Sequence, residues 1–375
     1  MKVLVLGNSA SRWQKEFIRN VLLPLGHKVY VSAARGNDPF EAFYKEHGVK
    51  YIASKPVPAF IMRIPKVRAE AMLRHQVAAL QNNAPYDVII NMFATSSELR
   101  CARLLSGGTA TVIAYFCGSD ILRVEGYKLK LLEKELKKVD RVCFASEQVR
   151  DGYTKKIGEN NNAVVHLGIS VFDWIDKIKN SSRDAKKELG IPSNVTTVCI
   201  GYNANEAHQH IKVIQQIGML PDDVKESVFL LLPMTYGRQQ EYVDQVKRCL
   251  TESNLQHLVL ETFMNDEQMA QLHCATDIFI NAQKTDGLSA SVLESAYAGA
   301  KLINASWLDY PEFSDWKLSY KAFNSFGDLP DVLNEVLSRE TIDTQYNHDI
   351  LKNKMSWEST KESWKAILND WSNKR

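Results

Sequence analysis

The stretch from Asn281 to Glu294, NAQKTDGLSASVLE, holds the densest concentration of chemistry-bearing residues in the sequence. An apolar run ends at Asn281, a glycine-containing loop follows, and helical spacing then begins. Gly287, Leu288, Ser289, Ala290 and Ser291 would bring unpaired backbone N–H groups to a helix N-terminus, which is a ready site for an anion. Lys284 adds a cation to the same loop. Two acids flank the loop: Asp286 stands on it, and Glu294 lies on the helix with seven residues between them. A carboxylate just beyond a phosphate site suits paired hydrogen bonds to ribose hydroxyls. The competing reading is structural, since an acid in the first turns of a helix is favoured by the helix dipole.

Such a loop needs a strand to end it and a helix to follow, and the chain supplies that pattern repeatedly. Residues 2–6 form a short apolar run ending in Gly7, Asn8 and Ser9, which reads as a buried strand and a tight loop. Helical spacing over 12–25 leads through Gly26 to a second strand at 28–32. Further strands are predicted at 88–92, 110–116 and 141–145. A second series follows at 196–201, 228–233, 257–261, 278–281 and 301–304. Alternation of this kind predicts two doubly wound parallel sheets, whose ligands bind at the carboxyl ends of the strands. The polar stretch 176–194 reads as the link between them. The expected domains are 1–175 and 176–355, facing each other across a cleft. A final helix follows with Trp357, Trp364 and Trp371 in one stripe, crossing back to the first domain over 356–375.

In the first half, Gly118 permits a tight turn after a strand and aims Ser119 and Asp120 outward. Asp120 could act as general base on a hydroxyl, or position it; its alternative role is to cap the next helix. In the second half, Thr235, Tyr236 and Arg238 follow a strand end. Two segments mix basic and apolar residues. Residues 59–72 carry Phe60, Ile61, Met62 and Ile64 with Arg63, Lys66 and Arg68; residues 127–138 carry four leucines with five lysines. Both read as membrane-facing amphipathic segments or as solvated helix faces.

The Asn281–Glu294 stretch resembles the donor-site signature of group 1 (family 4-like) GT-B glycosyltransferases, in which two glutamates bracket seven residues. Other pieces resemble the same enzymes in the same order: LGHKVYV from Leu25, DRVCFAS from Asp140, HLGIS from His166 and RDAKKELGIP from Arg183. The resemblance implies that Glu294 holds the nucleotide ribose, while Asp286 stands where the first glutamate normally stands. One departure is clear: the loop GYNANEAHQH from Gly201 has neither the Arg nor the Lys that usually binds the diphosphate. Its asparagines, Asn203 among them, and the later PMTYGR resemble the enterobacterial-common-antigen acetamido-dideoxygalactose (4-alpha-L-fucosyl) transferases instead. In that likeness Asn203, Thr235, Tyr236 and Arg238 join the donor site, with the planar guanidinium of Arg238 replacing the missing base. Asn8, Ser9 and Ser119 then fall on the acceptor side, with Asp120 and Asp286 at the reacting centre.

Length and composition agree with such an enzyme. The chain has 375 residues, enough for two domains, and its net charge of +2 argues against a dominant nucleic-acid function. Six scattered cysteines without a C-x-x-C pair read as free thiols, and the opening strand is not a signal peptide, so a cytoplasmic location is expected, with contact at the inner membrane face. No metal and no cofactor are expected. The expected partners are a nucleotide-diphosphate sugar and a glycan or lipid-linked acceptor in surface polysaccharide biosynthesis. A nucleotide-sugar epimerase and a non-catalytic sugar-nucleotide-binding subunit are the alternatives. The resemblances leave open retention or inversion at the sugar carbon.

Overall fold

Strands buried on both faces of a parallel sheet read as nearly unbroken apolar runs. KVLVL and VFLLLP are two such runs, and both form strands in the computed structural model, which describes residues 1–33, 38–159, 162–237, 239–339 and 342–369. Two units separate: Met1–Gly168 with Trp357–Arg375, and Ile169–Ser356.

The first unit contains β1 (Lys2–Leu6), β2 (Lys28–Ala33), β3 (Lys50–Ala53), β4 (Val88–Met92), β5 (Thr111–Phe116), β6 (Arg141–Phe144) and β7 (Asn162–Val164). Their order in the sheet is β3-β2-β1-β4-β5-β6-β7, and every pairing is parallel. The second unit contains β8 (Thr196–Ile200), β9 (Val228–Pro233), β10 (Gln256–Leu260), β11 (Ile278–Asn281), β12 (Lys301–Ala305) and β13 (Lys321–Phe323). These run in the order β10-β9-β8-β11-β12-β13, again all parallel. In each sheet the winding reverses beside the first strand, between β1 and β4 and between β8 and β11. A doubly wound sheet takes its ligand at that point, beyond the carboxyl ends of the strands.

Both expected Rossmann-like sheets are present. The strands that the sequence does not announce are β3, β7 and β13, of four, three and three residues, and two of them carry a lysine. All three lie at sheet edges, where short and charged strands prevent unwanted pairing.

The polar stretch 176–194 is not a link. It belongs to the second unit, and the chain changes unit at 168/169 and 356/357 instead of 175/176. The cause is apolar spacing just upstream: the helix Val171–Lys179 buries Val171, Phe172, Ile175 and Ile178 in the second core. Phe172 stacks on Tyr297 with ring centroids 3.8 Å apart, and the Tyr297 hydroxyl donates to both carboxylate oxygens of Asp176 at 2.9 Å.

The last helix, Trp357–Asn369, belongs to the first unit. Trp357, Trp364, Ile367 and Leu368 enter the cluster that holds Val3, Phe17, Val21 and Tyr115. Trp364 is fully buried, with its ring 4.5 Å from Phe17 and 5.2 Å from Tyr115, and its Nε1 donates to His166 O at 3.1 Å. Gly168 is required here by close approach, since a Cβ on it would lie 2.4 Å from the Trp357 ring. Trp371, the third member of the expected stripe, lies outside the described residues.

Removing a fully buried aromatic ring leaves a cavity that the surroundings close only in part. Trp364→Ala should therefore destabilise the first unit by about 3–5 kcal/mol. Denaturant unfolding followed by a probe in each unit should show the loss in the first transition and leave the second in place.

Candidate functional site

The loop 282–289 follows β11 at the switch point of the second sheet and opens the helix Ala290–Ala298. Ser289 is its N-cap, yet the Ser289 side chain makes no capping hydrogen bond, and the first turn carries no acid. The Ser289 side chain lies near Tyr202. The first N–H groups of a helix have no partner within the helix, so these remain open to an external acceptor. The Lys284 side chain is exposed, while its backbone N–H donates to Ala207 O at 2.8 Å. Gln209 Nε2 donates to Ala282 O at 2.8 Å, and these two bonds tie the loop after β11 to the loop after β8.

Asp286 is the centre of a hydrogen-bonded cluster. Tyr202, after β8, donates to Oδ1 at 3.0 Å, and Tyr310, after β12, donates to Oδ2 at 2.9 Å. Asn281 Nδ2 donates to the Tyr310 hydroxyl at 2.9 Å and to Asn304 Oδ1 at 3.0 Å. Gln283 Nε2 donates to the Tyr202 hydroxyl at 2.5 Å, and Trp307 Nε1 donates to Gln283 O at 2.7 Å. Burial pushes the Asp286 pKa up to about 6, against the lowering effect of the tyrosine and Gly287 N–H bonds. Burial likewise raises both tyrosines, with the Asp286 charge adding to the effect.

Glu294 lies one turn into the helix and is 5% exposed. Its Oε2 is 3.0 Å from His273 Nε2, on the helix Asp266–Cys274. Tyr236 is half exposed. Burial first, and then the charges of Glu294 and Asp286, raise its pKa, with the Asn203 side chain acting the other way. Ala204 N donates to Tyr236 O at 2.8 Å. The structure thus brings Asn203, Tyr236, Asp286, Glu294 and the helix start together at one end of one sheet. Thr235 is half-buried beside Tyr236, and Arg238 lies outside the described residues. His208 and His210 are buried behind the loop after β8, and burial lowers their pKa values to about 3 and about 4, so both are neutral imidazoles at pH 7. A cavity of about 370 Å³ lined by Thr196, Asp277 and Lys301 opens at the opposite end of the strands, away from this cluster.

In the first unit, Gly118 has φ +145°, which glycine alone adopts without strain, and it is the N-cap of the short helix Ser119–Leu122. Asp120 turns back toward the strand end: Oδ1 accepts from Gly118 N at 2.7 Å and from Cys117 N at 3.1 Å. It therefore closes the turn after β5 and is not the helix cap. Its pKa is raised by burial, against the bonds from the Cys117 and Gly118 N–H groups. Glu98, near enough to Asp120 to feel its charge, is pushed up to about 7, mainly by burial. Ser119 and Asn8 are exposed, whereas Ser9 is buried and its carbonyl accepts from the Tyr44 hydroxyl at 2.8 Å.

Sequence reasoning missed Tyr202, Tyr310, Glu98 and His273. The first two stand just beyond the carboxyl ends of β8 and β12, and Glu98 six residues after β4; the strand-end rule would have found those three. His273 carries no such signal.

For an acid, a folded pKa above the unfolded value means that the folded state binds more protons between the two, and stability falls as pH rises through that window. The Asp286 window runs from 3.8 to about 6. Between pH 4 and 6 the wild type should lose up to about 2 kcal/mol more stability than Asp286→Asn. Unfolding free energies measured across that range check the difference in slope.

No protein-family model matches the chain, and no curated protein matches it either. Solved structures do. Anabaena HepE, solved in complex with UDP and glucose, is 15% identical, with 99% of this chain and 100% of that chain covered and a TM-score of 0.71. Sucrose-phosphate synthase of Thermosynechococcus elongatus is 11% identical over 100% of both chains, with a TM-score of 0.75. A glycosyltransferase from Rickettsia africae is 14% identical over 98% of both chains, with a TM-score of 0.74. Likeness at such low identity speaks to architecture: the chain has the GT-B fold, two Rossmann-like α/β domains with a last helix that returns to the first.

Proposed function

We propose that this chain is a hexosyl-type glycosyltransferase that takes sugar from a uridine-diphosphate sugar and passes it to a glycan or lipid-linked acceptor of surface polysaccharide. One observation carries the reading: a helix begins uncapped at the switch point of the second sheet, with Glu294 one turn further along. A diphosphate would accept from the N–H groups of the 287–291 loop and helix start. Lys284, and Arg238 from outside the described residues, would add cationic charge. Helix termini and basic side chains can stabilise a departing diphosphate without a metal, and among the described residues no three His, Cys, Asp or Glu side chains are grouped to hold one. Ribose hydroxyls would bond to Glu294, with Asn203, Thr235 and Tyr236 beside them. Asp286, with each oxygen accepting from a tyrosine, shapes the loop under the sugar. HepE, a protein of the same fold, was solved with UDP-glucose, which supports the choice of base.

On the acceptor side we assign Asp120, with Glu98 as its neighbour, to the acceptor hydroxyl, alongside Asn8, Ser9 and Ser119. A lipid-linked acceptor would be met at the inner membrane face, and the two basic segments differ in their fitness for that contact. In 127–138 Leu132 and Leu136 are buried in the first unit and Leu129 and Leu131 are half-buried, so apart from Tyr127 at its start that helix shows solvent its lysines. In 59–72 the apolar side chains themselves are out: Phe60 is 70% exposed, Ile64 51%, Val67 48% and Met72 45%, beside exposed Arg63 and Arg68. An apolar edge with basic residues suits an anionic bilayer surface. Among the described residues no helix is long and apolar enough to cross a membrane.

Calorimetry with UDP and uridine tests the donor site. Glu294→Ala should lose about 1.5–3 kcal/mol of UDP affinity, roughly tenfold or more, with the fold intact. Lys284→Ala and Arg238→Ala should weaken UDP more than uridine. UDP should be released from a UDP-sugar only when acceptor is added; release without acceptor, epimerised sugar, or binding with no turnover would each displace the transferase reading.

Sedimentation with vesicles tests the membrane contact. The chain should pellet with vesicles of 30% phosphatidylserine by design and not with neutral ones. Phe60→Ser with Ile64→Ser should reduce the bound fraction severalfold, as expected when two apolar anchors leave the interface.

A further inference from the structure

We propose that His273 is the positioning residue for Glu294, holding its carboxylate in the orientation that grips ribose. The inference rests on the reading of Glu294 given above and assigns a role to a residue twenty-one positions away in sequence.

The geometry is a closed chain of buried groups. His273 is 1% exposed, Glu294 5% and Ser295 fully buried. His273 Nε2 meets Glu294 Oε2 at 3.0 Å, and Nδ1 meets Ser295 Oγ at 2.9 Å. Ser295 Oγ also lies 2.9 Å from Ser291 O, one turn back on the same helix. Both ring nitrogens are therefore engaged by the same helix, at adjacent residues, and the imidazole plane is held at both ends. With Glu294 ionised, two proton arrangements satisfy both ring contacts. Either Ser295 donates to Ser291 O and the ring is an imidazolium donating from both nitrogens, or Ser295 donates to Nδ1 and the neutral ring donates from Nε2. In both, Nε2–H donates to Oε2. Glu294 Oε1 makes no hydrogen bond among the described residues, so the pairing uses one oxygen and leaves the other to a ligand.

A buried carboxylate without a partner would be costly and would turn to find one. A lone glutamate side chain also has three rotatable bonds, which a ligand must order on binding. An imidazole fixed at both nitrogens removes that disorder before the ligand arrives, and this is how second-layer groups serve ligating side chains elsewhere.

The test separates ribose recognition from folding. UDP and 2′,3′-dideoxyuridine diphosphate are titrated into wild type, His273→Phe, His273→Gln and Ser295→Ala. Wild type should prefer the ribose form by about tenfold, the worth of one charge-assisted hydrogen bond. His273→Phe should bind both forms alike, at the affinity wild type shows for the dideoxy form. His273→Gln, whose amide N–H can stand in for Nε2–H, should recover part of the preference, and Ser295→Ala should lose part of it. A purely structural role would lower both affinities together and leave their ratio unchanged, and that result in His273→Gln and Ser295→Ala overturns the proposal even if His273→Phe does not fold. A wild type that binds UDP and dideoxy-UDP equally overturns the ribose reading of Glu294 itself, and this proposal with it.

Discussion

The hydrogen bonds from Tyr202 and Tyr310 to the two oxygens of Asp286 organise the second unit's ligand end. Tyr202 comes from the loop after β8, Asp286 from the loop after β11 and Tyr310 from the loop after β12. One carboxyl group thus ties the carboxyl ends of three strands that are neighbours in the sheet. Ser289, beside Tyr202, does not fold back onto its own helix, and the N–H groups of that helix start stay open. An anion site and the polar network that shapes it are therefore one construction. Shortening Asp286 by a methylene relative to a glutamate fits this inward role, since the carboxyl stays near its own backbone, where Gly287 N–H also reaches it.

Much of the architecture was legible in the sequence for a simple reason. Central strands of a parallel sheet must be apolar on both faces, so β1, β4, β5, β8, β9, β11 and β12 announce themselves as runs. Helix starts after such runs are equally plain, which is why the 287–291 loop and Glu294 could be read directly. Edge strands such as β13, with Lys321, carry no such run. The break between units was misplaced because polar composition was taken for a link. Asp176, Lys177 and Lys179 are polar, but they share one helix with Val171, Phe172, Ile175 and Ile178, which are core, and Asp176 itself accepts from the buried Tyr297.

The candidate site was half legible. Residues that contribute through their own loop, such as Lys284, Asp286 and Glu294, are visible as local pattern. Residues that contribute by reaching across the sheet are not: Tyr202 bonds Asp286 over 84 positions, and Tyr310 bonds it over 24. Asp120 shows the reverse failing. The turn after β5 was expected to aim it outward, but the N–H groups of Cys117 and Gly118 draw the carboxyl back toward the strand end.

A phosphate-bearing ligand in the second unit would face an electrostatic difficulty, because the two acids that bracket its site are themselves anionic. Their surroundings answer it differently. Asp286 is desolvated, so its ionised form is disfavoured in the folded chain, and a nearby phosphate would disfavour it further. The two tyrosine hydroxyls spread what charge remains over a network of neutral donors. Glu294 is turned onto an imidazole nitrogen of His273, 3.0 Å from its Oε2, instead of toward the helix start. The positive end of the helix dipole and the exposed Lys284 favour an anion at the loop. The absence of any acid from the first turn of that helix, where acids are usually welcome, belongs to the same arrangement: a carboxylate there would occupy the N–H groups and repel the ligand they are open to receive.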